Sequence, residues 1–180
     1  MTESVTVAAP AKINWMLRVL DRRADGYHNI ETLFQTISLH DEITITPAET
    51  FELDCDDSKI PIGRDNLVLR AAILMRERFS TPLVRVQLRK RIPAGGGLGG
   101  GSSDAAAVLV ALSRRFVPEA EPYLPDLALQ IGSDVPFFLI GGTAYGTGRG
   151  EVVTPLPRPI PIPLLLSFPG VTVSTADAYR

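Results

Sequence analysis

Six of the seven residues from 95 to 101 are glycine, within the stretch PAGGGLGGGSSD. Ordering so many glycines costs backbone entropy, and a purely structural connection has little use for them. What they supply is close approach of the main chain and access to positive φ. The flanks sharpen the constraint. Residues 83–89 (LVRVQLR) alternate, with Val86 and Leu88 inward and Arg85, Gln87 and Arg89 outward, which predicts a half-buried strand. Residues 105–116 (AAAVLVALSRRF) predict an apolar helix with basic residues at its end, the sign favoured at a helix C-terminus. A strand, a glycine loop and a helix N-terminus form a cradle whose backbone N–H groups face an anion. Ser102 and Ser103 add hydroxyls. A phosphate loop is the functional reading. A flexible linker is the alternative, although it fits poorly between two such periodic segments.

The loop is not a Walker motif, because Gly101 and Ser102 stand where that pattern requires Lys. Gly95, Gly97 and Gly100 fit the dinucleotide spacing formally. However, Arg89, Lys90 and Arg91 lead in where an apolar strand is required. Asp104 suits a helix N-terminus but repels a phosphate, so its side chain is expected to turn away.

Composition narrows the classes. Charges nearly cancel, with 18 Lys and Arg against 20 Asp and Glu. No global positive field exists, which argues against a nucleic-acid partner. The 45% hydrophobic content is that of a globular chain, not a disordered one. No apolar run reaches the ~20 residues of a membrane span, so no membrane partner is expected. One cysteine, Cys55, excludes an internal disulfide and a cysteine-based zinc site. Its neighbours Asp54, Asp56 and Asp57 raise a thiol pKa and disfavour a nucleophile there. Residues 1–10 lack a signal-peptide pattern, so a reducing cytoplasmic setting is expected.

Along the chain, residues 4–9 and 12–20 predict strands, and 22–28 a turn around Gly26. Residues 31–39 lean to β structure, and 41–46 (DEITIT) alternate as a strand. The acidic stretch 51–63 reads as an exposed hairpin or loop. Residues 66–79 predict a helix capped by Asp65 or Asn66, and 125–132 a short one. An apolar run (135–140) and the glycine-rich GGTAYGTGRGE follow, and 164–168 reads as a buried strand. Residues 174–180 look like a helix start that breaks off, so the chain is expected to be cut there.

Two ionisable residues stand out. Only three lysines (Lys12, Lys59, Lys90) face fifteen arginines, and Lys12 lies in an apolar strand two residues before Asn14. Either a compact ammonium is needed there or the side chain snorkels from a strand edge. Asp134, in GSDVPFF, reads as a cap or turn residue, or as a functional carboxylate. Brought together, the two could orient and deprotonate a hydroxyl.

PAKIN (10–14), RADGYH (23–28), PAGGGLGGGSSDAAA (93–107), GSDVPFF (132–138) and PGVTVSTADAY (169–179) together resemble the GHMP kinase superfamily. Within it, DGYH, PAKIN and STADAY resemble the branch acting on 4-diphosphocytidyl-2-C-methyl-D-erythritol in the non-mevalonate isoprenoid pathway. The resemblance implies an α+β fold like ribosomal protein S5 domain 2, and ATP-dependent phosphorylation of that substrate's 2-hydroxyl. Lys12 and Asp134 match the catalytic pair. Pro93, Ala94, Gly95, Gly96, Gly97, Leu98, Gly99, Gly100, Gly101, Ser102 and Ser103 match the ATP phosphate loop. Asn66 and Lys90 match residues near the nucleotide. Asn14 would hold the erythritol hydroxyls. Tyr27, His28 and Tyr179 would surround the cytosine, and Thr175 would position the substrate.

Mg²⁺ is implied with ATP, but no metal-ligand cluster is visible in the sequence. The resemblance also implies a domain over 1–168, with 169–180 starting a connection to a second, C-terminal GHMP domain that the sequence does not supply. Trp15 is bulkier than the aliphatic residue the family pattern leads one to expect, and Tyr179 replaces the Phe of some relatives. Three other readings compete: another GHMP small-molecule kinase, an RNA-binding module of the same fold, and an inactive fragment.

Overall fold

In the computed structural model, residues 4–157, 159–168 and 170 are described. The first two predicted strands merge into β1 (Val5–Arg22), and the next two into β2 (His28–Pro47). Between them, Gly26 adopts φ +85°, which turns the chain back on itself. β1 pairs antiparallel along one edge of β2. The other edge of β2 is divided. Residues 42–47 take β4 (Val84–Arg89), and residues 32–35 take β5 (Thr143–Thr147). β3 (Glu52–Cys55) lies outside β4, and β6 (Val152–Leu156) outside β5. β2 is therefore the spine of a six-stranded sheet.

The stretch expected as an exposed hairpin or loop contains β3, which pairs parallel with β4. A parallel pair needs a crossover, and helix α1 (Leu67–Phe79) supplies it. Asn66 caps α1: its Oδ1 accepts the Val68 N–H at 2.9 Å. The apolar helix after the glycine loop is α2 (Gly100–Phe116). A 3-10 turn (Pro118–Tyr123), α3 (Leu124–Ile131) and α4 (Val135–Ile140) follow.

Ile43, Ile45, Val84, Val86 and Leu88 of the sheet pack against Val68, Met75, Val108, Leu109 and Leu112 of α1 and α2. Fully burying each such side chain stabilises the fold by ~1.5–3 kcal/mol. Arg85, Gln87 and Arg89 face outward, as the alternation predicts. The result is an α+β domain of two layers, helices on sheet. No helix among the described residues is long and apolar enough to cross a membrane.

One expectation fails outright. Residues 164–168 form no strand, and Leu165 is 97% exposed. Pro159, Pro161 and Pro163 remove donors just upstream, which defeats ladder pairing. The glycine-rich stretch after α4, given no element from the sequence, carries the β5–β6 hairpin. The expected helix start at 174–180 lies outside the described residues, as do Thr175 and Tyr179.

Candidate active site

β4 delivers the chain to the glycine loop at the rim of the sheet, and α2 leaves it. Gly95, Gly97 and Gly99 have φ of +74°, +68° and +72°, and Gly96 and Leu98 between them do not share that sign. Such alternation turns successive N–H groups toward one concave side. Gly99 is the N-cap of α2 and offers no side-chain cap, so the first-turn amides stay open toward the cavity. A Cβ at Gly99 would stand 2.7 Å from the Phe138 ring and 3.1 Å from Lys12 Cγ, so nothing larger than glycine fits.

The loop walls an open cavity of about 400 Å³, a volume typical of small-molecule sites. Pro93 through Gly101, Ser102, Asn66 and Lys90 all line it. Ser103 does not. Its side chain is buried and its hydroxyl donates to Pro10 O at 2.7 Å, which ties α2 to β1 instead of reaching a ligand.

Beneath the loop lies a buried clamp. Asp41, fully buried at the middle of β2, accepts backbone N–H groups of Arg91 and Ile92 through Oδ1. Its Oδ2 accepts Lys90 Nζ at 2.5 Å, and Asp104 Oδ2 accepts the same ammonium at 2.8 Å. Asp104 thus turns to Lys90, as anticipated from its charge. Its other oxygen is buried without a hydrogen-bond partner. Burial pushes the Asp104 carboxyl up to about 7; Lys90 opposes the shift and Asp41 adds to it.

A carboxyl raised in the folded state stabilises below its unfolded pKa, ~3.9, and loses that contribution as pH rises through the folded value. Stability should therefore fall between about pH 4 and pH 7. Asp104→Asn mimics the protonated form. Its melting temperature is expected to decline less than the parent's from pH 5 to pH 8. Parallel melting profiles across that range would contradict this.

On the other side of the loop stands the predicted pair. Lys12 Nζ lies 3.7 Å from Asp134 Oδ2, an ion pair too long to be a hydrogen bond. Lys12 is 6% exposed, while about a third of the Asp134 side chain is open to solvent. Register shifts bracket Lys12 and Asn14 between Pro10 and Met16, and such bulges re-aim side chains. Two residues apart on one strand, Lys12 and Asn14 share a face. Lys12 Nζ donates to Asn14 Oδ1 at 2.7 Å. Asn14 Nδ2 donates to Thr32 Oγ1 at 2.6 Å, and that hydroxyl donates to Met16 O.

Burial pulls the Lys12 pKa down, and the Asp134 carboxylate opposes this. Asp134 sits at the N-cap of α4 without a capping hydrogen bond, so its carboxylate serves the lysine and not the helix. The pair and the loop are joined directly, because Lys12 N–H donates to Leu98 O at 2.9 Å.

Tyr27 and His28 lie at the turn into β2. Tyr27 is 54% exposed, and its backbone N–H donates to Asp25 Oδ1. His28 opens β2 opposite Arg22. Sequence reasoning missed Asp41, Thr32 and Arg149, whose guanidinium lies 4.7 Å from the Tyr27 ring centroid. For Asp41 the only signal was an acidic residue opening an alternating run. Cys55 is half-buried; burial pushes its thiol up, and Asp56 and Asp57 add to the rise, as expected of an inert cysteine.

Residues 66–142 match the family model described as the GHMP kinases N terminal domain. The 4-diphosphocytidyl-2-C-methyl-D-erythritol kinase of Solibacter usitatus is 48% identical over 99% of this chain and 57% of its own length. That of Moorella thermoacetica is 45% identical over 98% of this chain and 62% of its own. The chain thus spans about three fifths of these relatives' length. A crystal structure of 4-(cytidine 5'-diphospho)-2C-methyl-D-erythritol kinase superposes with TM-score 0.74 at 47% identity, covering 86% of this chain and 56% of that one. Homoserine kinase from Cytophaga hutchinsonii shares the fold at TM-score 0.64 and 20% identity, over 88% of this chain and 53% of that one. Motifs, architecture and relatives agree: the chain is similar to the N-terminal part of GHMP kinases, and residues 66–142 carry the match.

Proposed function

We propose that this chain binds ATP on the glycine loop and takes part in phosphorylating the 2-hydroxyl of 4-diphosphocytidyl-2-C-methyl-D-erythritol. The observation that carries the reading is the Lys12–Asp134 pair, 3.7 Å apart and hydrogen-bonded through the Lys12 backbone to the loop. The relatives named for this substrate, at 45–48% identity, support the choice of acceptor.

The acceptor hydroxyl lies against Asp134, which orients it and takes its proton as the oxygen bonds to the γ-phosphorus. The bond from that phosphorus to the bridging oxygen breaks, and ADP leaves. Lys12 offsets negative charge on the oxygens between donor and acceptor, and the loop amides hold the triphosphate. Phosphoryl transfer needs mainly such positioning and electrostatics. Asn14 holds Lys12 in place and faces the substrate's hydroxyls.

The loop offers N–H donors and the Ser102 hydroxyl, which suit phosphate oxygens. Among the described residues no cluster of three His, Cys, Asp or Glu could hold a cation. Mg²⁺ would therefore ride on the phosphates of ATP and help to neutralise them.

A substrate panel tests the reading. The protein, ATP and Mg²⁺ are incubated with the cytidine substrate, homoserine or mevalonate, and ADP is measured. ADP is expected with the first alone. Turnover of either other alcohol, or of none, would overturn it. Tyr27→Ala is expected to weaken the cytidine substrate severalfold more than ATP, because aromatic stacking on a base is worth ~1–3 kcal/mol.

A further inference from the structure

The turn between β5 and β6 touches both ends of the proposed acceptor site. Arg149 lies over the Tyr27 ring, its guanidinium carbon 4.7 Å from the centroid. A Cβ on its neighbour Gly150 would stand 3.7 Å from Asp134 Oδ1. The turn is anchored, since Ile30 N–H donates to Gly148 O at 2.7 Å. Glu151 accepts the Arg149 backbone N–H, and its carboxylate lies 3.8 Å from Arg149 Nε. That Nε is buried and makes no hydrogen bond, so Arg149 is held by the ring and by Glu151.

Tyr27 has no such confinement of its own. It projects from a turn, is more than half exposed, and has hydrogen bonds through its backbone N–H and carbonyl. A guanidinium stacks on an aromatic face and stabilises it there. With one face backed, the opposite face is the one a planar ligand can use.

We propose that Arg149 is a positioning residue: it backs one face of Tyr27 so that the other receives the nucleobase of the acceptor substrate. This rests on the functional reading above, which places a cytosine at Tyr27. It adds that the β5–β6 turn lies against both Tyr27 and Asp134, so one turn borders the base site and the acceptor carboxylate.

Titration with cytidine 5'-diphosphate in saturating ADP, and with ADP alone, tests it. The parent is compared with Arg149→Met, Arg149→Lys, Tyr27→Ala and the double variant Arg149→Met/Tyr27→Ala. Arg149→Met is expected to weaken cytidine diphosphate about two- to fivefold, the usual size of an exposed cation–π contact, and to leave ADP unchanged. Arg149→Lys should recover most of the loss, which separates the contact from a folding defect. In the Tyr27→Ala background, Arg149→Met should add nothing.

An effect of equal size in both backgrounds would mean the guanidinium acts on the ligand directly, and the proposal fails. Equal losses for both nucleotides, or no loss, also overturn it. A parent that binds ADP but not cytidine diphosphate overturns the functional reading and this proposal together. A parent that binds both, with Arg149→Met indistinguishable from it, overturns this proposal alone.

Discussion

Asp134→Asn is expected to lower kcat by about 100- to 10,000-fold, the usual contribution of a positioned acid–base group. The side chain keeps its size and loses the capacity to take a proton. It makes no capping hydrogen bond, so α4 does not depend on its charge. Lys12→Ala should cost as much in kcat and more in stability, because it empties a buried position beside Phe34 and leaves Asn14 Oδ1 without its donor. The double variant should be little worse than either single one, since the two act as a unit. Steady-state assays with the cytidine substrate and ATP check this. Two variants each within tenfold of the parent would remove the pair from the chemistry.

Asp41→Ala is expected to destabilise the fold by ~3–5 kcal/mol, the usual cost of removing one partner from a buried ionic cluster. The backbone N–H groups of Arg91 and Ile92 lose their acceptor, and the Lys90 ammonium is left with Asp104 alone. Water cannot replace the lost carboxylate, because Asp41 has no exposed surface. With ~2–4 °C per kcal/mol for a chain of this size, the melting temperature should fall by ~6–20 °C. Asp41→Asn keeps a carbonyl acceptor and should lose less. Glu42→Ala breaks only the solvent-exposed 3.5 Å pair with Arg89 and should cost under ~1 kcal/mol. Thermal melts decide; an Asp41→Ala protein melting within a degree or two of the parent would show that the clamp carries no weight. Nucleotide affinity should fall alongside stability, because the clamp fixes the chain at the entrance to the glycine loop.

Sequence reasoning read local patterns well and distant pairings poorly. The glycine loop was legible because six glycines between two different periodicities admit few explanations. The cap of α1 was legible to within one residue, Asp65 or Asn66, and Asn66 fills it. The parallel strand β3 was not, since its partner β4 lies beyond a whole helix and its acidic composition resembles a loop. The β5–β6 hairpin was hidden by glycines. Gly146 sits inside β5 because a Cβ there would meet Phe34 at 2.6 Å and Thr32 at 2.9 Å. That requirement is set by β2, far away in the sequence. The proximity of Lys12 to Asp134 was implied by the family resemblance but not by spacing, because 121 residues separate them in the chain. Ser103 looked like a second hydroxyl for the loop, but its place on α2 turns it to Pro10.

The Lys12–Leu98 bond ties the anion cradle to the ammonium through main-chain atoms on both sides. The side chain at position 98 can drift without changing the span between the glycine loop and β1. Only a residue lacking an amide hydrogen, or an altered chain length, can reset that interval. The spacing of loop and strand is thereby insulated from most side-chain changes, whereas the ammonium and the carboxylate are not.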